Sequence, residues 1–299
     1  DEVNYVGEGI ALICGPDKKM VRSYASMTRV VYEDLPVISD PEKSQTALIQ
    51  YKYHKDDVEE SFRRAASVYE ETFRSGYQEH MYLETDGMIT IWKDNRMTIY
   101  GSMQNPYYIK NELAQVFQMN PDQVRVIQAV TGGGFGGKED YPSLVACQAG
   151  AASIKTGKPV KFVLKRKEDV LDSPKRHPSV IHYKAALDEH NTITGIKADV
   201  ILDGGAYLTT SLTVMQRCLI TITGVYNIPS LRVYGKVAKT NRVPTGAFRG
   251  FGAPQSHFAI ETLMDHIAKF VGEDPMYFKM RHLVKQGDKT STSGKYWYP

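Results

Sequence analysis

The run Thr131-Gly-Gly-Gly-Phe-Gly-Gly-Lys-Glu139 puts five glycines within six residues around one phenylalanine. Glycine admits positive φ and lets a neighbour touch the main chain, at an entropic cost on folding. This density, between an apolar run and a small-residue segment, reads as a ligand loop. Gly132-x-Gly134-x-x-Gly137 matches the dinucleotide fingerprint and follows Val124-Arg-Val-Ile-Gln-Ala-Val130. That reading needs an acidic residue roughly 20 positions on. The strand expected over Val160–Leu164 ends instead in Lys165-Arg166-Lys167, which suits only a phosphate-preferring variant. Gly132-x-x-x-x-Gly137-Lys138 also begins a P-loop, but Glu139 stands where a Ser/Thr hydroxyl is needed, and a carboxylate there repels phosphate.

A second loop, Gly246-Ala-Phe-Arg-Gly-Phe-Gly252, has the same build, with Arg249 at its centre. Arginine offers a fixed fork of donors to an anionic group. Two such loops, each after a strand and before a helix, suggest two walls gripping one large flat ligand.

The elements that must position these loops follow from periodicity and punctuation. Strand, helix and strand are expected at 3–13, 16–27 and 29–33, then a connector over 34–46. Asp56 or Asp57 caps a helix reaching Ala66. Met88–Trp92 and Met97–Tyr100 flank a hairpin turn. Pro106 opens a helix to about Met119, and the segment 143–154 is a helix of small residues. A long hairpin spans Val180–Tyr207 and turns near His190-Asn191. A helix over 213–220, a strand over 231–240 and helices over 255–271 and 275–285 complete the chain. The Ser-Thr-Ser-Gly tract at 291–294 reads as frayed. Strands and helices do not alternate strictly, which favours α+β over a doubly wound sheet.

Composition excludes several classes. With 42% hydrophobic and 24% charged residues the chain is an ordinary globular one. A net charge of +3, with no basic stripe, points away from nucleic acid. No stretch nears the ~18 apolar residues of a bilayer span, so no membrane partner is expected. Cys14, Cys147 and Cys218 are isolated. They suit a reducing cytoplasm and argue against a zinc site or a cysteine-held iron–sulfur cluster in this chain. The start at Asp1, heading into a strand, suggests a fragment, a processed subunit or an excised domain.

Together, Gln78-Glu-His-Met-Tyr-Leu-Glu84, Met103-Gln-Asn105, Gly132–Glu139, Arg176-His-Pro178 and Gly246–Gln255 resemble the molybdenum hydroxylases of the xanthine dehydrogenase and aldehyde oxidase type, in order and spacing, over nearly the whole chain. The resemblance implies an α+β fold. Residues 1–36 would end an α/β hammerhead domain, 37–50 would be a linker, and 51–299 the first molybdopterin-binding domain. It implies a molybdenum–molybdopterin cofactor with no direct protein ligand to the metal. Gln104 would hydrogen-bond an oxo ligand. Gly134, Phe135 and Gly136 would line the cofactor, and Arg249 would stand near the pterin. Phe251 would stack on the substrate ring. Glu139 and Arg217 match the pair that clamps a purine in xanthine-oxidising members, where aldehyde oxidases carry apolar residues. Glu139, Arg217 and Gln104 are thus the expected catalytic residues. The Ala-Phe-Arg loop lacks the cysteine of the carbon monoxide dehydrogenase branch.

The implied reaction is hydroxylation of an electron-poor ring carbon, with water as oxygen source. Its general-base glutamate belongs to a second molybdopterin-binding half not matched here, so this chain alone is expected to be inactive. Iron–sulfur clusters and FAD are expected on partner chains or domains. Alternatives are a nicotinate- or aldehyde-type subunit, an NAD(P)-binding domain, or a module serving only assembly. Blander roles accompany each residue: His80 and Glu84 as structural hydrogen-bonders, Glu139 as a helix-start carboxylate, Arg217 as a surface cation. Asn105 would then be a helix cap, Phe135, Phe248 and Phe251 loop anchors, and Cys218 a small buried hydrophobe.

Overall fold

Residues 2–290 are described by the computed structural model. The helices are α1 (Lys18–Met27), α2 (Val58–Arg63), α3 (Pro106–Val116), α4 (Tyr141–Thr156), α5 (Arg166–Asp172), α6 (Ser211–Ile220), α7 (Ala253–Phe270) and α8 (Pro275–His282). The strands are β1 (Ala47–Lys55), β2 (Ser67–Ser75), β3 (Gly87–Lys93), β4 (Arg96–Gly101), β5 (Val124–Gln128), β6 (Val160–Val163), β7 (Ser179–Leu187), β8 (Ile193–Gly205) and β9 (Ser230–Lys239). The tract at 291–294 lies outside the described residues. Among the described residues, one unit comprises 2–39, Glu79–Lys175 and Asn241–Phe248; the other comprises Asp40–Gln78, Arg176–Thr240 and 249–290.

The first unit holds a four-stranded sheet in the order β5-β4-β3-β6. Asp94 and Asn95, both at positive φ, make the tight β3–β4 turn. This is the turn whose twist suits a two-residue hairpin. Helices α3 and α4 cover the sheet. Pro106 opens α3, and the Asn105 side chain accepts from the Tyr108 amide at 3.4 Å, so the cap role is real. Small residues let α4 press close: a Cβ on Gly150 would lie 3.0 Å from the Phe117 ring. Met88, Met97, Ile99, Ile109, Leu113 and Val145 form the core between the layers.

The second unit holds a five-stranded sheet, β1-β9-β8-β7-β2, with α6, α7 and α8. Its central hairpin turns where expected: the Asp188 carboxylate accepts from the His190 and Thr192 amides at 2.9 and 2.8 Å. Along β7, Ile181, Tyr183 and Ala185 are fully buried while His182 and Lys184 are half-exposed, the two-residue alternation of a half-covered sheet. The Tyr183 hydroxyl reaches the Ile222 carbonyl at 2.7 Å, so this core tyrosine is satisfied.

Two expectations change. The strands at 3–13 and 29–33 are not formed, and only α1 appears among described residues 2–39. A strand exists through its ladder, and these segments pair with no strand here. The edge strands β1 and β2 and the short helix α5 are additional. β1 begins at Ala47, inside the stretch read as linker.

Candidate functional site

In the first unit the glycine loop joins β5 to α4 and is knitted to the segment after β4. Gln104 Oε1 accepts from the Gly136 and Lys138 amides at 2.9 and 3.2 Å, and the Gln104 amide donates to the Lys138 carbonyl at 2.7 Å. The Gly132 amide donates to Glu84 Oε2 at 2.7 Å, and the Gly137 and Glu139 amides close turns onto Gly134 and Gly136. Five loop amides are therefore engaged within the protein, where a dinucleotide loop would aim amides at phosphate. The topology differs as well. β6 runs in the same direction as β5 but is separated from it by both β4 and β3. In the dinucleotide fold, the crossover returns beside the starting strand.

The glycines are demanded by the protein's own side chains. A Cβ on Gly134 would lie 2.4 Å from Gln104 Oε1, one on Gly132 2.6 Å from the Glu84 Cβ, and one on Gly137 2.7 Å from the Tyr82 ring. Gly136 sits at φ +103° with a Cβ position 2.6 Å from the Ala247 carbonyl. Phe135 between them has φ +54° and is half exposed. A bulky residue in the left-handed region is sparsely populated and persists when its surroundings dictate it.

Lys138 is a structural residue hidden from sequence reading. It is fully buried, and its Nζ donates to Glu84 Oε2 at 3.0 Å and Ser102 Oγ at 3.1 Å, over the Tyr82 ring at 4.8 Å. Partial burial pushes the Glu84 carboxyl up, but hydrogen bonds from Ser102, the Gly132 amide and Lys138, with the Lys138 charge, hold it below the usual range. Beneath lies a buried acid pair. The Tyr82 hydroxyl donates to Asp86 at 2.8 Å and Asp169 at 3.1 Å, and Arg166 pairs with Asp169 at 3.1 Å. Burial, with repulsion from Asp169, raises Asp86 well above an ordinary aspartate. His80 is hydrogen-bonded to the Ala247 carbonyl at 2.8 Å and stacks on Phe248 at 4.1 Å. His80 and Glu84 are thus both structural, and no cluster of potential metal ligands occurs among the described residues.

Gln104, with both acceptor bonds to the loop, presents its Nε2 as a donor with no partner among the described residues. Glu139 is half-buried, and no hydrogen bond or ion pair engages its carboxylate among the described residues. Burial and then Asp140 raise its pKa.

The second unit carries Arg217, Arg249 and Phe251. Arg217 is exposed on α6, and neither its guanidinium nor that of Arg249 has a partner among the described residues. Gly250, Phe251 and Gly252 follow Arg249 with φ of +96°, +48° and +90°. Gly252 seats against α6, its Cβ position 2.3 Å from the Val214 carbonyl. The loop and the helix bearing Arg217 are thereby one packed piece. Phe251 lies against the core of this unit, and Cys218 is fully buried, its thiol pushed up to about 12 by burial.

The two loops thus share a repeated device, a left-handed phenylalanine followed by a positive-φ glycine, with Phe135-Gly136 in the first unit and Phe251-Gly252 in the second. Over residues 40–283 the chain matches the molybdopterin cofactor-binding domain. The chain belongs to this family, that of the molybdenum hydroxylases. It is 32% identical over 301 residues to a probable xanthine dehydrogenase subunit of Bacillus subtilis, covering 96% of this chain and 40% of that protein. It is 32% identical to the nicotinate dehydrogenase large molybdopterin subunit of Eubacterium barkeri, covering 98% of this chain and 71% of that subunit. The aldehyde oxidoreductase of Desulfovibrio gigas superposes with a TM-score of 0.86 at 27% identity, over 95% of this chain and 32% of that one. The chain therefore spans less than half of the Bacillus relative.

The residues present suit the family's cofactor. Gln104 offers an anchored neutral donor, and the exposed Phe135 is held in an unfavourable conformation by its neighbours. In the second unit, taken by itself, Arg249 offers a cation with no partner among the described residues. No helix among the described residues is long and apolar enough to cross a membrane.

Proposed function

We propose that this chain is the molybdopterin-binding portion of a xanthine dehydrogenase-like hydroxylase that oxidises a purine or related N-heterocycle at a ring carbon. The observation that carries the reading is Gln104: its carbonyl is fixed by two amides of the glycine loop, which leaves a directed N–H donor. When bound, the cofactor supplies oxygen transfer from water and takes up the electron pair. Gln104 would hold the cofactor by donating to an oxo group. Gly134, Phe135, Gly136 and Arg249 would line it.

Glu139 and Arg217 would recognise the heterocycle. A carboxyl with a raised pKa accepts from a ring N–H when ionised and donates to a ring nitrogen or carbonyl when protonated. Arg217 would stabilise negative charge developing on the ring. Phe251 would stack on the ring.

The boundaries proposed are 1–36 for the hammerhead end, 37–50 for the linker and 51–299 for the molybdopterin-binding domain. The general-base glutamate would come from a second molybdopterin half, and iron–sulfur and FAD subunits would carry electrons away. The isolated chain would then be inactive. The test is turnover by the complete enzyme carrying Glu139→Ala or Arg217→Ala, purine against aldehyde. Purine kcat/KM should fall more than 10²-fold while aldehyde turnover holds. Purine turnover that survives both changes rejects the assignment. A nicotinate-type subunit is the second reading, supported by the 32% identity to the Eubacterium subunit over 98% of this chain. Nicotinate turnover exceeding that of purines decides for it.

A further inference from the structure

The motif Arg176-His-Pro178 is absorbed by none of the roles above, yet it joins the parts of the second unit that carry Arg217, Arg249 and Phe251. Arg176 is nearly buried and His177 fully so, and polar side chains are kept there only when hydrogen bonds replace water. The Arg176 amide donates to the Gln78 carbonyl at 3.1 Å, and its Nε donates to the Gln78 side chain. Its Nη2 donates to the Arg249 carbonyl at 3.2 Å. His177 Nε2 is hydrogen-bonded to Ser211 Oγ at 2.7 Å, at the first residue of α6. Gln255, in the first turn of α7, donates to the His177 carbonyl at 3.1 Å.

These tethers fall where local structure fixes little. Thr210, at the N-cap of α6, makes no side-chain cap hydrogen bond, so Ser211 holds the helix start from outside. Three consecutive left-handed residues after Arg249 leave that loop with little local preference of its own. Arg217 stands six residues beyond Ser211, or roughly 9 Å along a rigid helix, so displacement of the helix start carries it along. Gly252 packs directly on α6, with no room for a side chain between them, so the loop rests on that helix. Arg217 and the Arg249–Phe251 loop therefore follow the same two residues.

We propose that Arg176 and His177 are positioning residues that set where Arg217 and the Arg249–Phe251 loop stand, and so govern preference for a nitrogen heterocycle over an aldehyde. This rests on the reading of Arg217 as a substrate-binding group. Burial, and then the Arg176 charge, push the His177 imidazole down to about 3, so it acts as a neutral hydrogen-bonding group. A neutral amide of similar reach can replace it.

The test uses the complete holoenzyme with His177→Leu, His177→Gln, Ser211→Ala and Arg217→Ala. Molybdenum content, the purine-to-aldehyde ratio of kcat/KM, and hydrogen exchange of the α6 amides beyond Ser211 are measured. His177→Leu and Ser211→Ala should lower the ratio about tenfold, chiefly through purine KM, with molybdenum content unchanged. The α6 amides should exchange about tenfold faster, and His177→Gln should restore both. Unchanged exchange and ratio in Ser211→Ala, which removes one hydroxyl, overturn the proposal even where His177→Leu does not fold. If Arg217→Ala shifts the ratio and the His177 and Ser211 variants do not, the positioning role is wrong and the substrate reading stands. If Arg217→Ala also leaves the ratio unchanged, the substrate reading fails, and the selectivity role fails with it.

Discussion

Removing the two partners of the buried ion pair under the glycine loop should have unequal effects, and the inequality follows from exposure. Lys138 is fully buried, whereas the Glu84 side chain is 43% exposed. Glu84→Ala strands an ammonium with only Ser102 and the Tyr82 ring, a situation that costs about 3–5 kcal/mol. Lys138→Met strands a carboxylate that water still reaches and that keeps the Gly132 amide. Screening by that water lowers the expected loss to about 1–3 kcal/mol. The double variant should lose less than the sum, with a coupling of about 1–2 kcal/mol. The assay is hydrogen exchange of the amides at 132–139 in the complete enzyme, which reports local opening. At about 1.4 kcal/mol per decade, Glu84→Ala should accelerate exchange by about 10²- to 4 × 10³-fold and Lys138→Met by about 5- to 10²-fold. Additive effects, or a greater effect of Lys138→Met, would refute the argument that stranded buried charge dominates.

Three further outcomes follow. Gly136→Ala places a methyl against the Ala247 carbonyl at positive φ, and should destabilise the loop by about 1–3 kcal/mol and reduce molybdenum content. His177 has a folded pKa depressed to about 3 from 6.5, so the unfolded chain binds the extra proton between those values. Its contribution is fully present above pH 6.5 and is lost as pH falls toward 3, at up to about 1.4 kcal/mol per unit. His177→Gln should flatten that part of the denaturation profile, and an unchanged profile would remove His177 as its source. Asp86, raised by burial and Asp169, contributes oppositely: stability present below its unfolded pKa is lost as pH rises through the raised value. Asp86→Asn should then raise stability most in alkaline solution, and equal effects at acid and alkaline pH would contradict that.

Much of the fold was legible because its signals are local. The Asn105 cap with Pro106, the Asp94-Asn95 turn and the Asp188 turn each act within a few residues, so spacing alone locates α3 and the two hairpins. The edge strands β1 and β2 were not legible, since their pairing depends on β9 and β7 more than 100 residues away. The expected strands at 3–13 and 29–33 show the converse: strand-like residues with no ladder to join.

The candidate site divides the same way. Residue types at 104, 139, 217 and 249 can be read directly, and two glycine-framed phenylalanine loops can be counted. Whether a group is committed is another matter. Lys138 and Glu139 are neighbours in sequence, yet one is buried against Glu84 from 54 residues away and the other keeps a carboxylate with no partner among the described residues.

By itself the sequence determined the two loops, their family pattern, the uncharged character of Gln104 and most helices, because these depend on residue type and short spacing. Only the tertiary structure decided that the glycines accommodate Gln104, Glu84 and Tyr82, and that five of the loop amides are already hydrogen-bonded. It also decided that Arg176 and His177 tie α6 to the second loop. The reason is physical: a buried polar group must find its partner in space, and that partner is chosen by packing between segments far apart in the chain.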